Sequence, residues 1–200
     1  MPARLVRSGP RAPAPPPGVP ARLARSRRAA ALAGLAVVAL VPGWRDSPSP
    51  PEPLRVTVSG GAIATAVPAG PGRVLTVAHV LDGARTVHVG ARPARVLRID
   101  RRLDLAELAV PGLVAPSLRL GGHGGATVRV LRDGRAVTLS TRVRRRATAS
   151  IGDVRDRPVL ELATAVRPGD SGAPVLDRHG RLLGLVFARG SRGAWAVRLD

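Results

Sequence analysis

A chain of 200 residues can hold one folded core with an appendage, and 44% apolar residues are enough to fill that core. The formal net charge of +19 comes entirely from arginine, but with 2% aromatic residues and no recognition motif we expect no nucleic-acid partner. The absence of cysteine excludes disulfides, thiolate catalysis and cysteine-ligated zinc.

The N-terminal part of the sequence changes composition three times. Residues 1–28 are rich in proline and arginine, which predicts a disordered basic tail. Residues 29–44 form an apolar segment preceded by arginines and ending at Trp44, a pattern typical of a membrane-engaging segment. Residues 45–53 are proline-rich and predict a stiff linker.

The apolar segment leaves three interpretations open. It is short for a spanning helix and close to the length of a signal peptide's apolar region, yet no clear cleavage site follows it. A cleaved signal peptide and an uncleaved anchor therefore remain alternatives, and a buried core helix is the third. In either membrane case the preceding arginines keep the N-terminus in the cytoplasm, so we expect the rest of the chain to lie outside it.

From Leu54 onward the sequence consists of short alternating runs separated by glycine and aspartate turns. Alternation of apolar and polar residues with period two predicts strands, and no long amphipathic helical pattern interrupts them. Tight turns at Arg132-Asp133-Gly134-Arg135 and at His179-Gly180 predict two hairpins. We therefore expect an all-β domain over residues 54–200.

Three segments carry residues suited to nucleophilic catalysis. Ser171 lies among glycines in GDSGAP, where backbone N–H groups can converge beside the serine oxygen. A serine needs a base to take its proton, and His79 follows the apolar run VLTVA. Asp104 lies among apolar residues in RLDLA, as an orienting carboxylate should, and Asp100 is the spare candidate.

The segments LTVAHV, DLAEL and GDSGAP resemble the three signature segments of the trypsin/chymotrypsin superfamily, in the same His, Asp, Ser order. Within this superfamily, the segments are most similar to those of bacterial HtrA-like and membrane-anchored serine proteases, although we expect no PDZ domain in this chain. The resemblance implies two six-stranded β-barrels, at about residues 54–114 and 126–200, with the active site in the cleft between them.

The resemblance also implies roles for individual residues. His79 would deprotonate Ser171, Asp104 would fix the imidazole tautomer, and the N–H groups of Gly169 and Ser171 would stabilise the oxyanion. The mechanism implied needs no metal and no cofactor. Asp170 is expected to make a structural contact with a backbone group or an arginine.

The specificity pocket is predicted less sharply. The resemblance places its lining at Ala165 and Val166 and along the strand through Phe187, Ala188 and Arg189. Because no acidic residue stands near the expected pocket base, cleavage after basic residues is disfavoured, and we expect cleavage after small or medium apolar residues.

Three functions remain as hypotheses. The first is a serine endopeptidase, membrane-tethered or secreted, with protein or peptide substrates. The second is a protease-like binding or sensing module whose oxyanion loop is collapsed. The third is a basic protein that binds polyanions or lipids, for which binding should weaken steeply with salt.

Overall fold

The computed structural model describes residues 49–122 and 125–199, and this part of the chain is almost entirely β-structure. Its single helical element is a 3-10 turn at Ala78–Leu81. The all-β prediction is therefore confirmed. The predicted tail, the apolar segment and most of the linker fall in residues 1–48, outside the described residues. No helix in the described part of the chain has both the length and the apolar character that a membrane crossing requires.

The first six strands pair antiparallel into a closed barrel in the order β1-β2-β3-β6-β5-β4. They are β1 (Leu54–Val58), β2 (Ile63–Gly70), β3 (Arg73–Val77), β4 (Val87–Val89), β5 (Arg92–Asp100) and β6 (Leu105–Ala109). Inward-facing residues such as Val56, Val74 and Leu108 are fully buried and form one apolar core. The strands of this barrel lie within the range expected for barrel one.

The remaining seven strands form a second sheet in the order β8-β7-β11-β12-β13-β10-β9. They are β7 (Ala126–Arg132), β8 (Arg135–Thr141), β9 (Val143–Ile151), β10 (Val154–Leu162), β11 (Pro174–Asp177), β12 (Leu182–Gly190) and β13 (Gly193–Arg198). Apolar residues of this sheet, among them Val128, Leu160 and Val175, enclose a second core. Both predicted hairpins are present, as β7–β8 and β11–β12.

The two edge strands of the second sheet are consecutive in the chain. β8 ends at Thr141 and β9 begins at Val143, so Arg142 alone separates them. The first of these strands pairs with β7 and the second with β10, which means that one chain run bends at Arg142 and joins the two ends of the sheet. The sheet has seven strands where six were expected, because this bend divides a single run into two.

A third apolar cluster lies between the barrel and the second sheet. The barrel contributes Val67 and Val77, both fully buried, and the second sheet contributes residues that include Leu176, Leu185 and Phe187. Val77 is the last residue of β3, immediately before the 3-10 turn. Packing at this cluster therefore sets the end of β3 against the second sheet.

Candidate active site

His79 and Asp104 form a directly bonded pair on the first barrel. Asp104 Oδ1 accepts the backbone N–H of His79 at 2.9 Å, and Oδ2 lies 2.8 Å from His79 Nδ1. Because an ionised carboxylate can only accept, Nδ1 carries a proton, and in the neutral imidazole Nε2 then keeps its lone pair. The His79 side chain is 43% exposed and that of Asp104 only 8%. The free lone pair is thus on the accessible side chain, as a general base requires.

The backbone around Asp104 is held in a conformation that aims its carboxylate at the histidine. Asp104 has φ +54°, in the left-handed region that few non-glycine residues adopt. Its carbonyl accepts the N–H of Ala78 at 3.0 Å. Asp100, the spare candidate, instead accepts the N–H of Leu103 at 3.0 Å and closes the preceding turn. The carboxylate that contacts His79 is therefore that of Asp104.

The turn before β11 uses some of its backbone N–H groups and leaves others free. Those of Asp170, Gly172 and Ala173 donate to carbonyls at 2.7–3.0 Å. Among the described residues, the N–H groups of Gly169 and Ser171 have no partner, and neither has the Ser171 hydroxyl. Two free donors flanking a free hydroxyl are what an oxyanion site needs.

Two threonines of the first barrel hold this turn in place. The N–H of Thr65 donates to the Ser171 carbonyl at 2.7 Å, and its hydroxyl donates to the Gly169 carbonyl at 2.8 Å. The carbonyl of Thr65 in turn accepts the hydroxyl of Thr76 at 2.8 Å. Since Thr76 lies on β3, three residues before His79, these bonds connect the turn at Ser171 to the strand that leads into the 3-10 turn bearing the histidine.

The buried Asp170 forms an ion pair with the partly buried Arg132, the last residue of β7. Arg132 Nη1 contacts Asp170 Oδ1, and Nη2 donates to Oδ2 at 2.7 Å. Oδ2 also accepts the backbone N–H of Arg167 at 2.7 Å. The hydrogen bonds to Asp170 raise the pKa of Arg132 above its usual value, although burial opposes them. The expected structural contact of Asp170 is confirmed.

Two neighbouring cavities hold the candidate residues. One, of about 410 Å³, is lined by His79 and Asp104 together with Phe187 and Ala188. The other, of about 240 Å³, contains Ser171 and has the same two residues in its wall. Phe187 and Ala188 line both cavities and thus form a wall that the two cavities share. The imidazole and the hydroxyl open onto adjoining spaces, and no hydrogen bond joins them in the described structure.

Four of the five expected pocket residues line the Ser171 cavity: Val166, Phe187, Ala188 and Arg189. Ala165 is exposed and is not part of this lining. The cavity is also lined by Arg167, which the sequence argument did not include. Its walls are therefore largely apolar, and both charged residues that line it are cationic.

A family model described as a trypsin-like peptidase domain matches residues 58–185, more than half of the chain. The chain belongs to this family. Within the trypsin-like peptidases, it is 36% identical over 133 residues to the serine protease Rv3671c of Mycobacterium tuberculosis (strain ATCC 25618 / H37Rv), covering 58% of this chain and 34% of that protein.

A solved structure of this protease and one further relative match the trypsin-like domain. The active form of the M. tuberculosis protease superposes with a TM-score of 0.66 at 26% identity, covering 74% of this chain and 76% of that one. A DegP-like protein of Pseudomonas savastanoi pv. phaseolicola (strain 1448A / Race 6), named as a periplasmic serine endoprotease, is 27% identical over 132 residues, covering 59% of this chain and 28% of that protein. The chain therefore spans about a third of the length of these curated relatives.

Sequence reasoning about this trypsin-like domain missed the supporting residues of the site. Thr65 and Thr76 gave a faint signal, as polar residues within runs that are otherwise apolar. Arg132 gave none, because an arginine in a chain so rich in arginine does not stand out. Of the other histidines, His88 and His179 are exposed, and His123 lies outside the described residues. No group of side chains in the described ranges could hold a metal ion.

Proposed function

We propose that the protein is a serine endopeptidase that hydrolyses peptide bonds through an acyl-enzyme. In this proposal His79 Nε2 takes the proton of Ser171, whose oxygen attacks the scissile carbonyl, and Asp104 keeps the imidazole in the tautomer that can accept it. The N–H groups of Gly169 and Ser171 bind the oxyanion. The tetrahedral species then collapses: the C–N bond breaks, the leaving amine takes the proton from His79, and the acyl-enzyme remains. Water then attacks the acyl-enzyme with His79 acting again as base, and the returned proton frees Ser171 as the acid product leaves.

One observation carries the proposal. An imidazole with its Nδ1 proton fixed by a buried carboxylate opens on one side of the Phe187–Ala188 wall, and a free serine hydroxyl with two free N–H groups lies on the other. Unbound sites of this kind often have long catalytic distances that shorten when substrate binds, so the missing Ser171–His79 hydrogen bond does not oppose the assignment.

The decisive experiment is labelling with a fluorophosphonate, which reacts with an activated serine. The wild-type protein should be labelled, Ser171→Ala should not, and both should unfold in the same cooperative transition. Ser140→Ala is the matched control, because Ser140 is exposed on β8, and it should be labelled like the wild type. Labelling that survives Ser171→Ala would refute the assignment.

The same experiment separates the proposal from a silent binding module. The free N–H groups at Gly169 and Ser171 favour catalysis, since a collapsed turn would have to use or redirect them. A folded wild-type protein that is not labelled, and that does not cut an internally quenched peptide, would favour the module. Salt-sensitive binding of polyanions that Ser171→Ala leaves unchanged would favour the third hypothesis.

We also propose that the protease domain acts outside the cytoplasm, tethered through residues 29–44 or released after their cleavage. The DegP-like relative, which is named as a periplasmic protein, supports this location. The test is to fractionate cells that express the full chain and to treat intact cells or spheroplasts with an added protease. Protection of residues 54–200 until the membrane is broken would overturn it.

A further inference from the structure

A buried arginine of the second sheet reaches the segment that carries Asp104. Arg157, on β10, is 5% exposed. Its Nε donates to the Arg102 carbonyl at 2.9 Å and its Nη2 to the Arg101 carbonyl at 3.1 Å. Its Nη1 lies 3.9 Å from Asp104 Oδ2. A charged group this deeply buried must be compensated, and here the compensation comes almost wholly from the segment 101–104.

The same guanidinium also packs against the wall between the two cavities. Its central carbon lies 5.5 Å from the centroid of the Phe187 ring, within range of a cation–π contact. Arg157 further lines the His79 cavity. One side chain therefore contacts both the loop behind the general base and the wall that separates the base from the nucleophile.

An irregularity in β10 directs this arginine inward. The pairing of β9 with β10 shifts register between Val154 and Arg157, and Asp156 has φ +55°. Arg155 and Asp156 are both exposed, whereas Arg157 is buried. Bulges of this kind redirect side chains and recur beside active sites. A regular strand would place two successive side chains on opposite faces, so the bulge accounts for the orientation of Arg157.

We propose that Arg157 is a positioning residue for catalysis, which fixes the Asp104 carboxylate against His79 from the second sheet and thereby aligns the acid–base pair with the nucleophile. This inference rests on the proposed peptidase activity. Arg157 takes no part in proton transfer. Its guanidinium contacts two carbonyls, one carboxylate and one aromatic ring. Through these contacts it links the second sheet, before whose strand β11 Ser171 lies, to the barrel that bears His79.

Two substitutions of Arg157 test the role. Arg157→Met keeps the length and apolar stem but removes every donor, and we expect kcat to fall about 10²-fold with little change in KM, because only the reacting geometry is lost. Arg157→Lys keeps the charge but has no planar guanidinium to bond two carbonyls at once. Its kcat should therefore lie between that of Arg157→Met and that of the wild type. Arg145→Met is the matched control, since Arg145 pairs with Glu161 and Trp195, and its kcat should stay unchanged.

A second pair of variants leaves Arg157 intact and so covers the case in which Arg157→Met does not fold. Asp156 is exposed and carries the left-handed backbone. Asp156→Val disfavours that backbone and should reproduce the loss of kcat, whereas Asp156→Gly accepts it and should keep wild-type kcat. Equal kcat in the two Asp156 variants and an unchanged kcat in Arg157→Lys would overturn the inference.

A spectroscopic reading separates this inference from the peptidase proposal itself. The Nδ1 proton of His79, bonded to Asp104, should give a downfield proton resonance in the Ser171→Ala protein, which needs no activity. Adding Arg157→Lys should broaden or shift that resonance, and adding Arg145→Met should not. A resonance indifferent to Arg157 would overturn the positioning role even in an active enzyme, whereas absence of fluorophosphonate labelling would overturn only the peptidase assignment.

Discussion

Arg132 holds both carboxylate oxygens of Asp170, the residue that immediately precedes Ser171 in the chain. The Asp170 side chain is 2% exposed, so its charge depends on this partner and on the N–H of Arg167. The ion pair therefore fixes the turn whose N–H groups at Gly169 and Ser171 are free. A contact at the end of β7 is in this way part of the support for the proposed oxyanion site.

Replacing Arg132 should damage both stability and activity. Arg132→Met leaves a buried carboxylate without its cation, which typically costs about 3–5 kcal/mol. We expect a lower free energy of unfolding in denaturant and, in protein that remains folded, a fluorophosphonate labelling rate reduced by about 10². The nearby Arg135 is exposed, and Arg135→Met should change neither. Wild-type labelling by folded Arg132→Met would show that the ion pair does not shape the turn.

Gly172 should tolerate no side chain. A Cβ there would lie 1.9 Å from the Thr65 carbonyl oxygen, and φ is +87°. Gly134 offers a matched comparison, because its φ is +78° but a Cβ would meet nothing within 4 Å. Gly134→Ala should cost about 1–2 kcal/mol of unfolding free energy from backbone strain alone. Gly172→Ala should cost clearly more, and equal costs in urea unfolding would contradict the close approach of the turn to β2.

Asp104→Asn should preserve the fold and abolish most of the activity. The amide can present its N–H₂ group to His79 Nδ1, which favours the tautomer whose Nε2 is protonated and cannot accept a proton from serine. In the Ser-His-Asp template the corresponding change lowers kcat about 10⁴-fold. Steady-state kinetics on a peptide ester would measure it. Asp100→Asn, in the preceding turn, should leave kcat within a few-fold of wild type.

Asp177 should give the domain an acid-sensitive component of stability. Burial alone would raise its pKa, but the backbone N–H groups of Arg181 and His179 and the Arg181 guanidinium outweigh burial, and the pKa lies below its ordinary value of 3.8. A depressed folded-state pKa stabilises the protein above about pH 4, and that stabilisation is lost as pH falls through the folded-state pKa.

The measurement is denaturant unfolding of the wild type and of Asp177→Asn at neutral and acid pH. The variant should be less stable at pH 7, and the difference should shrink as pH falls below about 4. Asp153→Asn, in an exposed turn, should follow the wild type throughout. A difference independent of pH would show that Asp177 contributes through packing instead of charge.

The Ser171 cavity should reject basic side chains. Its apolar wall residues favour small or medium apolar side chains, and Arg167 and Arg189 add positive charge. A peptide library should therefore show least cleavage after Arg and Lys. Arg189→Glu should raise cleavage after basic residues, whereas Arg192→Glu, an exposed position in the next turn, should not. A wild-type profile dominated by basic residues would refute this description of the cavity.

Local patterns in the sequence were sufficient for the all-β class, for the two hairpins and for naming the three candidate catalytic residues. Period-two alternation predicts β7 and β8, and Asp133-Gly134 supplies the positive φ values that their tight turn needs. The strands and their turn depend on residues that are neighbours in the sequence. The contact between His79 and Asp104 was expected because the motifs that contain them are those of a catalytic site.

The supporting contacts could not be predicted, because they join residues far apart in the chain. Thr65 meets Gly169 across 104 positions and Arg132 meets Asp170 across 38. The sequence does not distinguish Arg157 from the other arginines, because its burial depends on the bulge at Asp156. The extra strand of the second sheet likewise arises from a bend at Arg142 that no glycine or proline marks.

The residues that line the Ser171 cavity all lie between Val166 and Arg189, whereas His79 and Asp104 lie earlier in the chain. On the proposed function, proton handling and side-chain selection are thus encoded in separate stretches. Substitutions in the later stretch can therefore change which peptide bond is cut without changing the residues that handle the proton. A chimaera that exchanges only the later stretch with that of a homologue would be expected to inherit the donor's cleavage preference.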